Sequence, residues 1–425
     1  MAWVFLAILC LSCWTSCKKG DHSPPSIAVN HPIDGANFVA CDEVRITGQA
    51  SDNQGLGQVT VTLSDPFTNQ ILGSSSHALK GLKDDFGFNF KLGDRYTHSG
   101  EYQLRITAFD AFGNTANDFV LIQIAELPKQ LIHATWVGID GSEVAQLYVR
   151  DSLGLVQSGS ILGNKLSGFL IDNRSQQMLV TEGLTGRFDS RNLEDYALNF
   201  RNTLLTGGPQ QALTGISAVQ NKFYLSLNVP PYVRIFDREG AQTTSWSQVL
   251  SPVTEILASP VHTWLVLDGA GGMASQLNLY DTFSQQVKAT DLLSWRAEKL
   301  LLAAQQIIVC GNDGVQGHVY LLDADHLTHD SENDLTERFL GADGAGQDWF
   351  VLLASGLWRI DLGSGNLQGP IVSGNFSSIG FEDVSGNIWL GRQDAVDIYG
   401  QNGGLVQTIS GSFGLVKWIR FHANK

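Results

Sequence analysis

The sequence predicts an all-β chain: a two-sheet β-sandwich followed by a seven-bladed β-propeller that the C-terminal strand closes. Three observations lead there. Glycine is abundant and charge is scarce, with 45 glycines and 16% charged residues among 425; soluble domains usually carry roughly 25% charge. Tight turns between strands account for that balance better than charged helices do. Apolar residues alternate with period two across residues 25–126. From residue 131 onward a short strand pattern recurs about every forty residues, the length of a four-stranded blade. The expected divisions are 1–16, an export signal; 17–24, a tether; 25–126, the sandwich; 127–130, a linker; and 131–425, the propeller.

At the N-terminus, residues 1–16 carry no charged side chain, and Trp3 to Leu9 form a short apolar run. A bilayer span takes about 20 residues, so the run fits the apolar region of a signal peptide instead. Then comes Thr15-Ser16-Cys17-Lys18-Lys19-Gly20-Asp21. Small residues before a cysteine and polar residues after it resemble the cleavage site of bacterial lipoproteins, the Ser-Cys-Lys-Lys form being most like the Bacteroidetes type. The resemblance implies that Cys17 is acylated and becomes the mature N-terminus. It implies an outer-membrane lipoprotein facing the periplasm or the cell surface, with the lipid as its membrane contact. Two departures stand against the pattern: no Lys or Arg precedes the apolar run, and Trp14 sits where a Leu-like residue is usual. Cys10 and Cys13 are alternative sites, and an ordinary signal peptide is the plainer reading. Cys41 and Cys310 remain in the mature chain, in different expected domains, and read as separate small apolar residues rather than a disulfide.

The sandwich rests on alternation. Val44, Ile46 and Ala50 alternate with Arg45, Thr47 and Gln49; Val59, Val61 and Leu63 with Thr60 and Thr62; Phe86, Phe88 and Phe90 with Gly87 and Asn89; Tyr102, Leu104 and Ile106 with Gln103 and Arg105. One apolar face per strand is what two packed sheets require. The segments Pro24-Pro25-Ser26-Ile27, Gly48-Gln49-Ala50-Ser51-Asp52, Gly100-Glu101-Tyr102 and Ala108-Phe109-Asp110-Ala111-Phe112-Gly113-Asn114 resemble bacterial immunoglobulin-like and cadherin-like repeats. That resemblance places Tyr102 at a tyrosine corner and raises calcium as a ligand of Asp52, Asp110 and Asn114. The cadherin calcium strings are absent, and Asx capping of turns is the simpler role of these side chains.

The propeller rests on an apolar strand ending in Asp. It recurs at Asp151, Asp189, Asp237, Asp281, Asp323 and Asp361, with Gly400 in the seventh copy, at spacings of 38, 48, 44, 42, 38 and 39. A second strand precedes each copy. The final segment, Gly414 to Phe421, is a strand without partners after it, and the first copy lacks an opening strand. Joining the two closes a ring of seven and removes the sheet edges, with a count of six or eight as the alternative because Arg187-Phe188-Asp189 is a poor copy followed by a long interval. Asp383-Val384-Ser385-Gly386-Asn387-Ile388-Trp389-Leu390-Gly391 is similar to the Asp-x-x-Gly-Asn-x-Trp-x-Gly pattern of propeller repeats in sensory and surface proteins, and supports the fold.

Chemical signals are sparse. The sequence has no G-x-S-x-G elbow, no H-E-x-x-H and no P-loop lysine motif. A net charge of −15 excludes the basic footprint of a nucleic-acid binder. The acidic segment 323–334 offers Asp323, Asp325 and Asp330 as ligands for calcium or another hard cation, against the plainer reading of a solvated excursion between strands. Trp246 and Trp295 lie in less regular stretches and are the candidate exposed platform for a sugar ring. Trp349, Trp358 and Trp389 lie inside strand patterns and should pack between blades. The expectation is a lipid-anchored binding or scaffold protein, its sandwich a spacer and its propeller the binder of a glycan, peptide or protein. The alternative is an extracytoplasmic propeller enzyme acting on glycans, a hydrolase or lyase.

Overall fold

A computed structural model describes residues 22–66, 71–151, 153–183, 185–204, 213–228, 231–246, 251–269 and 274–424. Cys17 lies outside them. All regular structure in the described residues is β-strand. No helix among them is long and apolar enough to cross a membrane. They form two compact units that divide between Pro128 and Lys129.

The first unit contains β1 (Ser26–His31), β2 (Ala36–Val39), β3 (Glu43–Ser51), β4 (Leu56–Ser64), β5 (Ile71–Ala78), β6 (Lys83–Lys91), β7 (Gly100–Asp110) and β8 (Thr115–Ala125). One sheet has the order β1-β3-β6 and the other β2-β8-β7-β4-β5. The period-two residues meet between them: Ile46, Val59, Val61, Leu63, Leu104, Ile106 and Ile122 are fully buried in one cluster. Burial of this kind is worth roughly 1.5–3 kcal/mol per large aliphatic side chain. The Tyr102 hydroxyl donates to the His98 carbonyl at 2.9 Å. Asp52 accepts from the amides of Gln54 and Gly55 at 2.7 and 2.8 Å, and Asp110 accepts from those of Phe112 and Asn114, both at 2.8 Å. These carboxylates cap turns in Asx fashion.

The second unit begins with β9 (Leu131–Ile139), β10 (Val144–Arg150) and β11 (Val156–Asn164). Four-stranded antiparallel sheets follow in chain order. The first is β12 (Leu166–Asp172), β13 (Gln177–Glu182), β14 (Arg187–Asn192) and β15 (Leu198–Thr203). The second is β16 (Leu213–Val219), β17 (Lys222–Leu227), β18 (Tyr232–Asp237) and β19 (Gln242–Trp246). The third is β20 (Val253–Ala258), β21 (His262–Asp268), β22 (Ser275–Asp281) and β23 (Val287–Leu293). The fourth is β24 (Arg296–Ala303), β25 (Gln306–Asn312), β26 (Gly317–Asp323) and β27 (His329–Asp334). The fifth is β28 (Phe339–Ala345), β29 (Asp348–Leu353), β30 (Gly356–Ile360) and β31 (Leu367–Ser373). The chain ends with β32 (Ser378–Glu382), β33 (Asn387–Tyr399) and β34 (Leu405–Ala423), which join the first three strands in the order β11-β10-β9-β34-β33-β32. The early half of β34 pairs with β33, and its late half, Leu415 to Ala423, pairs with β9. The leading strands β12, β16, β20, β24, β28 and β32 touch in succession; β32 touches β34, and β34 touches β12.

The strand-ending Asp has one local cause. Asp151, Asp237, Asp281, Asp323 and Asp361 each accept hydrogen bonds from two backbone amides of the following turn. Asp189 differs, and this corrects the sequence alignment. It sits inside β14, paired with the Arg201 guanidinium through bonds of 2.8 and 2.7 Å. Asn192 holds the turn position instead, accepting from Glu194 at 2.6 Å. With Asn192 as the second copy the uneven intervals of 38 and 48 become 41 and 45. In the Asp383–Gly391 motif, the hairpin joins β32 to β33, and a Cβ on Gly391 would stand 2.3 Å from Ser378 Oγ and 2.6 Å from Val416 Cγ1. Only glycine lets that strand approach so closely. Cys41 and Cys310 are free, the latter buried.

Candidate functional site

A cavity of about 470 Å³ lies where the leading strands converge. It is reached through one repeated backbone feature. Pairing of each leading strand with its neighbour skips a residue between Leu166 and Gly168, Leu213 and Gly215, Val253 and Glu255, Ala297 and Lys299, Phe339 and Gly341, and Val416 and Trp418. The skipped residues are Ser167, Thr214, Thr254, Glu298, Leu340 and Lys417, and each lines the cavity. At β32 the Ser377 amide donates to Gly391, which also pairs with Ser378, so Ser377 takes the corresponding place. A bulge re-aims side chains away from the ladder. Here its repetition turns one residue per leading strand toward a common mouth.

Behind this rim stand charges. Lys299 Nζ lies 3.7 Å from Glu255 Oε1, and Arg420 Nη1 lies 4.0 Å from Asp343 Oδ2. Glu255 has a side chain only 16% exposed. Burial raises its carboxyl above the ordinary range, opposed by Lys299 and then by Arg420. Burial likewise raises Asp343, opposed first by Arg420 and then by the amides of Phe381 and Gly344. Each carboxyl feels both cations, so the four groups act as one electrostatic cluster. Glu298 accepts from Asn312 Nδ2 at 3.0 Å. Arg296, Lys417 and the half-buried Trp418 complete the polar wall, with Lys417 Nζ 4.8 Å from the Trp418 ring centroid.

The hydroxyls of this wall are oriented. Thr254 donates to the Val266 carbonyl at 3.3 Å, and Ser377 and Ser378 donate to the Val416 carbonyl at 2.7 and 2.8 Å. A hydroxyl that has spent its proton on the backbone keeps lone pairs for another donor. A second cavity of about 470 Å³ shares Leu166, Ser377 and Lys417 with the first and extends past Lys165, Glu143 and Leu415. Lys165 Nζ stands 3.5 Å from Glu143 Oε2 there.

The expected site residues lie elsewhere. Trp246 and Trp295 are 3% and 1% exposed, which corrects the expectation of an exposed pair. Trp295 stacks on His318 at 4.9 Å between ring centroids, and Trp246 packs against Tyr280 at 5.4 Å. Their irregular flanks are strand ends that tuck the rings between sheets, so neither offers a free face. Trp246 also borders a cavity of about 290 Å³ with Tyr232, Arg234, Gln242 and Ser245. The acidic segment is a turn followed by the strand β27, not an open loop. Asp323 is engaged by the amides of Asp325 and His326, Asp325 by His262 at 2.8 Å, and Asp330 by Gln306 at 2.7 Å. The three carboxylates therefore point to different partners, and no group of three or more His, Cys, Asp or Glu side chains suited to a metal ion occurs among the described residues.

Sequence reasoning missed Glu255, Lys299, Asp343, Lys417, Trp418 and Arg420. One signal was available: charged residues that interrupt otherwise apolar strands, as in Thr254-Glu255-Ile256 and Lys417-Trp418-Ile419-Arg420.

No family model matches this chain, and no curated protein matches it. Solved structures do resemble it. That of dihydro-heme d1 dehydrogenase NirN in complex with DHE is 11% identical over 74% of this chain and 72% of its own, with a TM-score of 0.50. Hydrazine synthase from Kuenenia stuttgartiensis is 9% identical over 56% and 77%, with a TM-score of 0.43. Hsv2 from Kluyvelomyces marxianus is 8% identical over 56% and 77%, with a TM-score of 0.41. These neighbours are β-propeller proteins, and the first of them supports a β-propeller fold here. At such identities the likeness is one of fold and carries no activity across.

Proposed function

We propose that this chain is a lipid-anchored extracytoplasmic binding or scaffold protein of the outer membrane. In this reading Cys17 carries the acyl chains, and residues 25–126 are an immunoglobulin-like spacer. Residues 131–425 are a seven-bladed propeller closed by its C-terminal strand, which presents the axial cavity to a glycan, peptide or protein. Two sheets over one core and the Tyr102–His98 corner bond support the spacer. The unbroken succession of leading strands, from β12 round to β34 and back, supports the closed ring of seven.

The single observation that carries the binding role is the matched charge in the cavity. Glu255 stands beside Lys299 and Asp343 beside Arg420. A polar cavity with paired charges and oriented hydroxyls is built to hold a polar ligand in a fixed pose. The test is retention of glycans and peptides by the full chain in detergent, compared with Trp418→Ala and Lys299→Gln. Loss of retention in both variants supports the reading. Retention that neither variant alters places the ligand elsewhere and overturns the axial site.

One observation favours an enzyme as the second reading. Burial raises two carboxyls here, Glu255 lining the cavity and Asp343 beside its Arg420, and a raised carboxyl can act as a general acid. In that case glycan cleavage by the full chain would be lost in both Glu255→Gln and Asp343→Asn, while ligand retention survived.

A further inference from the structure

The geometry points to a carboxylate-bearing saccharide as the ligand of the axial cavity, its acid group held by the cationic rim at Arg296 and Lys417 and its ring against Trp418. This inference rests on the axial cavity being the binding site, and it adds the chemical class.

The first argument is charge. The chain as a whole carries −15. The cavity reverses that sign: Arg296, Lys299, Lys417 and Arg420 line it, against Glu255 and Glu298, with Asp343 beside them. Lys299 and Arg420 face Glu255 and Asp343, and Glu298 is engaged by Asn312. Arg296 and Lys417 are exposed at the mouth, and neither forms an ion pair with a carboxylate among the described residues. A local excess of cations on an acidic protein selects an anion, because the rest of the surface repels it.

The second argument is shape and hydrogen-bond polarity. Thr254, Ser377 and Ser378 have their protons committed to backbone carbonyls, so they offer acceptors. The cations offer donors. A ligand that donates from hydroxyls and accepts through a carboxylate meets both. Trp418, half-buried and with Lys417 Nζ 4.8 Å from its ring centroid, gives the cavity an apolar edge that a sugar ring can meet, and the adjoining cavity past Lys165 and Leu415 gives room for further units. A phosphate would use the cations and leave the acceptors and the indole unused. An acidic peptide such as triglutamate would satisfy the cations and donate backbone N–H groups to the hydroxyls, but it has no ring face to set against the indole.

The test is titration of the full chain in detergent, by calorimetry and Trp fluorescence, with trimers of glucuronic, mannuronic and galacturonic acid. The carboxyl-reduced neutral trimers, triglutamate and inorganic phosphate serve as comparisons. At least one uronate trimer should bind about tenfold or more tightly than its neutral counterpart, with affinity falling as salt rises. Arg296→Gln and Lys417→Gln should each weaken that trimer about three- to tenfold and leave the neutral one unchanged, whereas Trp418→Phe should weaken both less than Trp418→Ala does. Equal binding of acidic and neutral trimers, dependent on Trp418, overturns the acidic class and keeps the axial site. Triglutamate or phosphate binding as tightly as the best uronate overturns the saccharide. No binding by any uronate trimer overturns the inference, and retention of some other ligand in the same cavity would leave the binding function standing.

Discussion

Thr135 and Arg420 are joined across 285 residues of chain, the Thr135 hydroxyl donating to the Arg420 carbonyl at 3.0 Å. The bond lies on the ladder between β9 and β34, where Trp136 pairs with Ile419 and both are fully buried. The second unit thus ties its last strand to its first. Removal of residues 412–425 should therefore abolish cooperative unfolding of the second unit. Ile419→Ala should cost about 2–5 kcal/mol, the usual penalty for truncating a fully buried aliphatic side chain. Urea unfolding followed by Trp fluorescence reads both, and a truncated chain as stable as its parent would refute the role of the closing strand.

A narrower test concerns Gly138, which pairs with Val416 beside the bulge at Lys417. A Cβ there would stand 1.8 Å from the Phe413 carbonyl oxygen. That oxygen belongs to backbone and cannot swing aside as a side chain would. Gly138→Ala should destabilise the second unit by about 1–3 kcal/mol, as overpacking does. Substitution of Gly141, with nothing near its Cβ position, is the control and should cost much less.

The Glu255 carboxyl binds its proton more tightly folded than unfolded, because burial raises it despite Lys299. The associated stability is fully present below the ordinary glutamate range and is lost as pH rises through the raised value. Glu255→Gln should thus flatten the decline in stability of the parent from about pH 4 upward. Unfolding midpoints at successive pH values measure the difference; parallel curves for parent and variant would count against the burial argument.

His329 links neighbouring outer strands through charge. Its Nε2 lies 2.8 Å from Asp291 Oδ2, and Nδ1 meets Glu332. Burial pulls its pKa down, and the two carboxylates override that and raise it. Stability from the imidazolium is present below the ordinary histidine range and disappears as pH rises through the raised pKa. His329→Gln should remove about 1 kcal/mol at pH 5 and little at pH 9. A loss independent of pH would mean that packing, not charge, is what His329 supplies.

The proposed anchor has its own outcome. Cys17→Ala should abolish incorporation of labelled fatty acid and leave a precursor that is not processed at that cysteine. Normal acylation of the variant would move the anchor to Cys10 or Cys13.

Local pattern determined a good deal. The period-two alternation of Val44 to Ala50 and the recurrence of Asp-ending strands are properties of neighbouring residues, so the all-β character and the repeat were legible in the sequence. Even there register slipped, because Asp189 resembles a turn residue locally and only its pairing with Arg201 places it inside a strand. Tertiary structure alone decided the site. Trp246 and Trp295 look exposed from their irregular flanks, yet packing against Tyr280 and His318 buries them. Glu255, Lys299, Asp343, Trp418 and Arg420 come from four strands widely separated along the chain. All but Asp343, which stands beside Arg420, line one cavity because a bulge recurs along the leading strands and because β34 returns to β9. Alternation tells which side of a strand a residue occupies; it takes closure of the chain on itself to decide which other residues face it across the axis.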